Sequence, residues 1–142
     1  MDLLHTLNQF FYDSSLSELR QMNTGALCPN ISYNSLLYLD LIAGKSGCTV
    51  SSLAEALHIS KPAVTAKVNE LVTQGLVKKL QSTKDKRVYH LTLTCKVSEM
   101  YSGYAKQRQN AVELLHSKYT EEQVSLFNEM LNAIREEYIK EQ

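Results

Sequence analysis

The stretch from Thr49 to Thr94, TVSSLAEALHISKPAVTAKVNELVTQGLVKKLQSTKDKRVYHLTLT, decides the fold of this chain. Its first half predicts two short helices, because apolar residues recur at spacings of three and four on both sides of a break at residues 58–60. Ser60 is a good N-cap for the second helix, and Pro62 suits a first helical turn. Gly75 is suited to end that helix in a left-handed conformation. The apolar positions are Leu53, Ala54 and Leu57 before the break, and Val64, Val68, Leu71 and Val72 after it.

The second half of the stretch predicts a β-hairpin. Residues 76–80 and 88–93 are two β-prone runs, and the second alternates between two faces. Between them lies a polar tip, residues 81–87, with three cations. The whole stretch therefore predicts a helix-turn-helix followed by a β-wing.

Positive charge is concentrated in the same stretch. Between Lys61 and Lys96 there are eight cations and only two anions, Glu70 and Asp85, which gives a net charge of +6. The complete chain is neutral, with 15 basic and 15 acidic residues, so the remainder carries −6. A solvated basic face without a ligand is the alternative, but a basic helix and hairpin tip within a helix-turn-helix pattern favour a polyanionic partner.

Composition places the chain among globular, helix-rich proteins. A length of 142 residues suffices for a buried core, and two prolines and five glycines are few for that length. Neither a secretory signal nor a membrane-spanning apolar run is visible, and three widely spaced cysteines look like reduced thiols. These observations predict a cytoplasmic location.

Helices are also predicted on both sides of the central stretch. The first covers residues 2–22, where Asp13-Ser14-Ser15 marks either a bend or an exposed turn, and a loop at 23–32 separates it from a very apolar helix. A long helix from Cys95 to Lys118 and a last helix after the Thr120–Gln123 capping box follow the wing. Their apolar stripes need partners, and a second copy of the chain is the economical one.

The predicted fold class is thus mostly α with a small β-wing (α+β). Residues 1-47 and 95-142 are expected to form a helical dimerisation domain, and residues 48-94 a winged helix-turn-helix domain. Short apolar residues Cys48 and Cys95 are expected in the core.

The chain resembles the MarR family of bacterial transcriptional regulators over nearly its full length. Five segments carry the resemblance, namely LAEALHIS at 53–60, PAVT at 62–65, LVTQGLV at 71–77, DKR at 85–87 and LTLT at 91–94. The resemblance implies a homodimeric repressor, not an enzyme, that binds pseudo-palindromic double-stranded DNA.

The resemblance also implies where DNA would be contacted. The helix 61–74 looks like the recognition helix, with Lys61, Pro62, Ala63, Thr65, Ala66 and Lys67 toward the major groove. Many relatives have an arginine where this chain has Ala66. In the wing, formed by Lys84, Asp85, Lys86 and Arg87, the arginine resembles one that enters a minor groove. Asp85 is expected to hold that arginine by an ion pair, to form the hairpin turn, or both.

A third implication is an effector crevice for a small phenolic or anionic ligand. The aromatic candidates are Phe11, Tyr12, Tyr33, Tyr38, Tyr101 and Tyr104. Aromatic residues at helical spacing are also ordinary core residues, so that alternative stays open.

The sequence gives little support for catalysis or for binding of a metal or cofactor. The four histidines show no metal-binding spacing, and no phosphate-binding, dinucleotide or nucleophile motif occurs, so no metal, cofactor or catalytic residue is predicted. A metal- or redox-responsive regulator, using residues such as Cys28, Cys95 or Glu113, is an alternative. A winged-helix module that binds proteins rather than DNA is another.

Overall fold

The computed structural model describes residues 2–24 and 31–140. Within these residues the helices and strands follow in the order α1 (Leu3–Thr24), α2 (Tyr33–Gly44), α3 (Val50–Leu57), α4 (Lys61–Thr73), β1 (Val77–Gln81), β2 (Tyr89–Leu93), α5 (Cys95–Lys118) and α6 (Glu121–Ile139). The predicted mostly helical fold with a small β-wing is confirmed, whereas Cys28 and most of the predicted loop at 23–32 lie outside the described residues.

Helix α3 begins with a capping box that the sequence analysis did not include. The Ser52 N–H donates to Thr49 Oγ1 at 3.1 Å, and the Thr49 N–H donates to Ser52 Oγ at 2.9 Å. The helix ends at His58, a non-glycine residue in the left-handed conformation with φ of 53°. This residue makes the turn between α3 and α4.

Helix α4 has the two predicted boundaries. At its start, the Ala63 N–H donates to Ser60 Oγ at 3.3 Å, and Pro62 lies in the first turn. At its end Gly75 has a φ of 72°, and the N–H of Leu76 donates to the Leu71 carbonyl at 2.9 Å. The predicted caps at Ser60 and Gly75 are confirmed, and they fix the length of the helix.

The wing is an antiparallel pair in which Val77 lies opposite Leu93 and Gln81 opposite Tyr89. The Leu91 N–H also donates to the Cys48 carbonyl at 2.7 Å, which ties β2 to the segment before α3. Along β1, alternate side chains point to opposite faces, so Lys78 and Lys79 lie on different sides of the wing.

The hydrophobic core extends beyond residues 48-94. Leu39 and Ile42 of α2 and Val97 of α5 are at most 5% exposed. They pack with α3, α4 and the wing through Leu53, Ala54, Val64, Val68, Leu71, Val77 and Leu91. The described residues form one compact unit up to Tyr101 and a second from Ser102 onward.

Two details differ from the sequence expectations. Helix α1 runs without interruption through Asp13-Ser14-Ser15, and Gln9 Nε2 donates to Asp13 Oδ1 at 3.1 Å, one turn apart. Cys48 is buried as expected, but Cys95 is exposed, because it occupies the first position of α5. In the part of the chain that the structure describes, no helix is both long and apolar enough to cross a membrane.

Candidate nucleic-acid interface

The outer face of α4 presents short side chains and an exposed lysine at its start. Lys61, Pro62, Ala63 and Ala66 are exposed and Thr65 is half-buried. The opposite face anchors the helix, since the side chains of Val64, Val68 and Leu71 are fully buried. The helix therefore offers its first two turns to a partner while its inner face is fixed in the core.

Lys67 is held by a neighbour on the same helix. Its Nζ lies 3.0 Å from Glu70 Oε1, and its side chain is only 13% exposed. Glu70, whose side chain is 49% exposed, also accepts a hydrogen bond from Gln74 Nε2 at 3.4 Å. The cation that follows Ala66 is thus partly neutralised in the free chain.

The wing tip is exposed at all four predicted positions, Lys84, Asp85, Lys86 and Arg87. Asp85 Oδ1 accepts the backbone N–H of Arg87 at 3.0 Å, and Ser82 Oγ accepts the N–H groups of Lys84 and Asp85. Among the described residues no ion pair joins Asp85 to the Arg87 guanidinium. Asp85 forms the turn, and the expected ion pair is absent from the free chain.

A basic region that the sequence analysis did not single out lies at the root of the wing. Lys79 Nζ donates to Asn69 Oδ1, which connects β1 to α4. A cavity of about 270 Å³ lies beside Lys79, and we call it the wing-root cavity. It is lined by Thr49, Val50, Ser51, Lys79, Arg87, Val88 and Tyr89. The alternation of side chains along β1 predicts that Lys78 and Lys79 lie on opposite faces of the wing. The residues around the two lysines do not indicate which of them faces α4.

The aromatic residues of the expected effector crevice lie in different environments. Tyr38 belongs to the core, and Tyr101 packs against that core and donates its hydroxyl to Asp40 Oδ1. Tyr104 is also buried. Phe11, Tyr12 and Tyr33 are 43% to 63% exposed.

In the part of the chain that the structure describes, side chains that could bind a metal ion do not form a cluster. Across residues 2–24 and 31–140, no group of three or more His, Cys, Asp or Glu side chains is placed to hold an ion. His116 Nδ1 instead lies 3.0 Å from Glu121 Oε1, at the junction of α5 and α6.

Together, the buried inner face of α4, its exposed outer face and the cationic wing define a winged helix-turn-helix protein. The model of the MarR family matches residues 31–89, which cover α2, α3, α4 and most of the wing. Over this stretch the chain is similar to the MarR family.

The chain is similar in sequence to one known regulator and in fold to two solved structures. The transcriptional regulator ZitR of Lactococcus lactis subsp. cremoris is 30% identical over 93 residues, which span 63% of this chain and 64% of that protein. FabT of Streptococcus pneumoniae, solved in complex with DNA, is 21% identical with a TM-score of 0.69, over 94% of this chain and 93% of that one. The adhesin competence repressor AdcR of Streptococcus pyogenes is 21% identical with a TM-score of 0.65, over 97% and 98%.

Proposed function

We propose that this protein is a cytoplasmic, homodimeric transcriptional repressor that binds a pseudo-palindromic site on double-stranded DNA. The observation that carries the proposal is the exposed outer face of α4 beside a cationic wing, in a fold shared with a protein that was solved in complex with DNA. The net charge of +6 between Lys61 and Lys96 supports it, since a duplex is a dense polyanion.

In this proposal α4 lies in the major groove. Pro62, Ala63 and Ala66 are small, so they let the helix approach the base edges and contact thymine methyl groups. Lys61 at the start of the helix and Lys67 supply positive charge, and Thr65 offers a hydroxyl. The four wing residues, Lys84 to Arg87, follow the backbone, with Arg87 extended into a minor groove.

Dimerisation is supported by apolar side chains that the single chain leaves exposed. On α1, Leu3, Leu4 and Phe10 are 61% to 76% exposed. No residue of α6 is buried, although Leu126, Phe127, Met130 and Leu131 are each about half exposed. Helices with such faces need a partner, and a two-fold dimer would present two copies of α4 to two half-sites. In this proposal residues 1-47 and 95-142 serve dimerisation, and residues 48-94 serve DNA binding.

Release by a small phenolic or anionic effector completes the proposal. An effector bound near Phe11, Tyr12, Tyr33, Tyr38, Tyr101 or Tyr104 would act by changing the separation of the two recognition helices. Because two half-sites must match that separation, even a small change lowers affinity. The name of AdcR, a repressor of the same fold, supports the direction of control.

The test is binding to the DNA upstream of the protein's own gene across a salt series, with Arg87→Ala beside the native protein. We expect specific binding whose log K falls linearly with log salt, and weaker binding by the variant. Equal, weak and sequence-indifferent binding by both proteins, on this fragment and on DNA selected from a genome library, would contradict the proposal.

A further inference from the structure

The wing-root cavity brings two cations together from different strands. Lys79 belongs to β1, and Arg87 precedes β2. Both line the cavity of about 270 Å³, together with residues 49–51.

Among the described residues that line the cavity, none is acidic. Across residues 2–24 and 31–140, neither Lys79 nor Arg87 forms an ion pair with a carboxylate. The nearest acidic residue in the wing, Asp85, directs Oδ1 to the backbone N–H of Arg87. Two positive charges thus meet at one cavity without a counter-charge, which favours an anion there.

Lys79 is also oriented by a neutral group. Its Nζ donates to Asn69 Oδ1 on α4, and this bond leaves the full positive charge on the ammonium group. Since Nζ carries three N–H groups, two remain for another acceptor. Asn69 thus positions a charged donor between the recognition helix and the wing.

We propose that the wing-root cavity binds one phosphodiester of the DNA backbone, with Lys79 as its principal ligand. The inference rests on the proposed function. It adds a third DNA contact, which lies between the outer face of α4 and the wing tip. The Lys79 ammonium donates to a non-bridging phosphate oxygen. The positive charge of Arg87 supports this contact from the rim of the cavity, even when its side chain extends toward a groove. Such a contact positions the protein without reading sequence.

The chain supplies a matched control on the adjacent residue. Lys78 lies on the same strand and is exposed, but it points to the opposite face and lies opposite Thr92. Lys78→Gln and Lys79→Gln therefore remove the same charge from the same strand. Lys79→Arg keeps the charge and serves as the conservative variant.

The experiment measures binding of the native protein and the three variants to one operator fragment and one unrelated duplex, across a salt series. We expect Lys79→Gln to weaken binding to both duplexes by the same factor and to reduce the slope of log K against log salt by about 0.9, the value for one phosphate. Lys78→Gln should change the slope much less, and Lys79→Arg should keep it. Thermal unfolding of all four proteins checks that the wing remains folded.

Two results would separate the failure of this inference from that of the proposed function. A native protein that binds with a steep salt slope, together with Lys79→Gln and Lys78→Gln variants of equal slope, would overturn the phosphate site alone. A loss limited to the operator fragment would also overturn it, because a phosphate contact is independent of sequence. A native protein without salt-dependent DNA binding would overturn both proposals.

Discussion

At the scale of single residues, Glu70 is an acidic group within a basic surface. It pairs with Lys67 at 3.0 Å and accepts a hydrogen bond from Gln74, so it stabilises the middle of α4. A salt bridge between residues one turn apart on a helix contributes only about 0.3–0.5 kcal/mol. Near a phosphate backbone the same carboxylate would repel DNA and would compete with it for Lys67.

We therefore expect Glu70→Gln to strengthen DNA binding roughly fivefold, which corresponds to about 1 kcal/mol for removing one close repulsive charge in water. The free energy of unfolding should fall by about 0.5 kcal/mol or less. Fluorescence anisotropy with labelled duplex measures the affinity, and urea unfolding measures the stability.

The control for this change is Glu129→Gln on α6, which alters the net charge equally outside the basic surface. It should leave the affinity nearly unchanged. Equal affinities for Glu70→Gln and the native protein would mean that Glu70 does not face DNA.

At the scale of helices and strands, the chain contains two glycines with opposite roles. Gly75 ends α4 with a φ of 72°, a conformation that other residues adopt at a cost of about 1–2 kcal/mol. Gly103 lies inside α5, where glycine costs roughly 0.5–1 kcal/mol relative to alanine. At both positions an added Cβ meets nothing within 4 Å, so packing does not complicate the comparison.

Gly75→Ala should therefore destabilise the protein by about 1–2 kcal/mol, while Gly103→Ala should stabilise it by about 0.5–1 kcal/mol. Denaturant unfolding of the two variants at one protein concentration measures both changes. If both variants changed the free energy of unfolding in the same direction, backbone conformation would not determine the effect of these two substitutions.

The local elements were predictable because their signals are short-range. Ser60, Pro62 and Gly75 marked the ends of α4, and Thr120 with Gln123 marked the start of α6, where the reciprocal capping bonds are present. The continuity of α1 through Asp13 was not predictable. Asp and Ser are weak helix formers, so they can mark a bend, but they are also tolerated when neighbouring turns continue the helix.

The candidate interface was predictable in part. Pattern and charge indicated the basic helix and the wing tip, and the resemblance to the MarR family implied which side chains of α4 would face DNA. The structure exposes these residues except Thr65, which is half-buried, and Lys67, whose side chain is 13% exposed. The bond between Lys79 and Asn69 joins residues on different elements, and its existence depends on how the wing packs against α4. Pairwise contacts of this kind do not follow from periodicity or charge.

At the scale of the whole molecule, the exposed apolar face of α6 should control assembly. Phe127 and Leu131 are one turn apart and 46% and 49% exposed. We expect the double variant Phe127→Glu, Leu131→Lys to sediment as a single 16.1 kDa chain at concentrations where we expect the native protein to form the proposed dimer. Since neither side chain is buried in the single chain and the new pair favours a helix, α6 itself should persist.

The matched control is Asn128→Glu, Asn132→Lys, which introduces the same pair at the same spacing on polar positions of α6. It should remain dimeric. If sedimentation equilibrium gave the mass of a dimer for the Phe127, Leu131 variant as well, this face of α6 would not form the interface.

Helix α2, residues 48-94 and the start of α5 share one hydrophobic core. This shared core limits the exchange of residues 48-94 between related proteins. Leu39, Ile42 and Val97 fill the centre of the winged unit from outside residues 48-94. If residues 48-94 were transferred alone into a related protein, they would pack against different side chains at these three positions. Each cavity left in the core costs about 2–5 kcal/mol, and the total stability of a domain is only about 5–15 kcal/mol. Under the proposed function, new DNA specificity is therefore more accessible through point changes on the outer face of α4 than through exchange of residues 48-94 as a whole. A chimera designed in the laboratory should have its junctions outside residues 31–101.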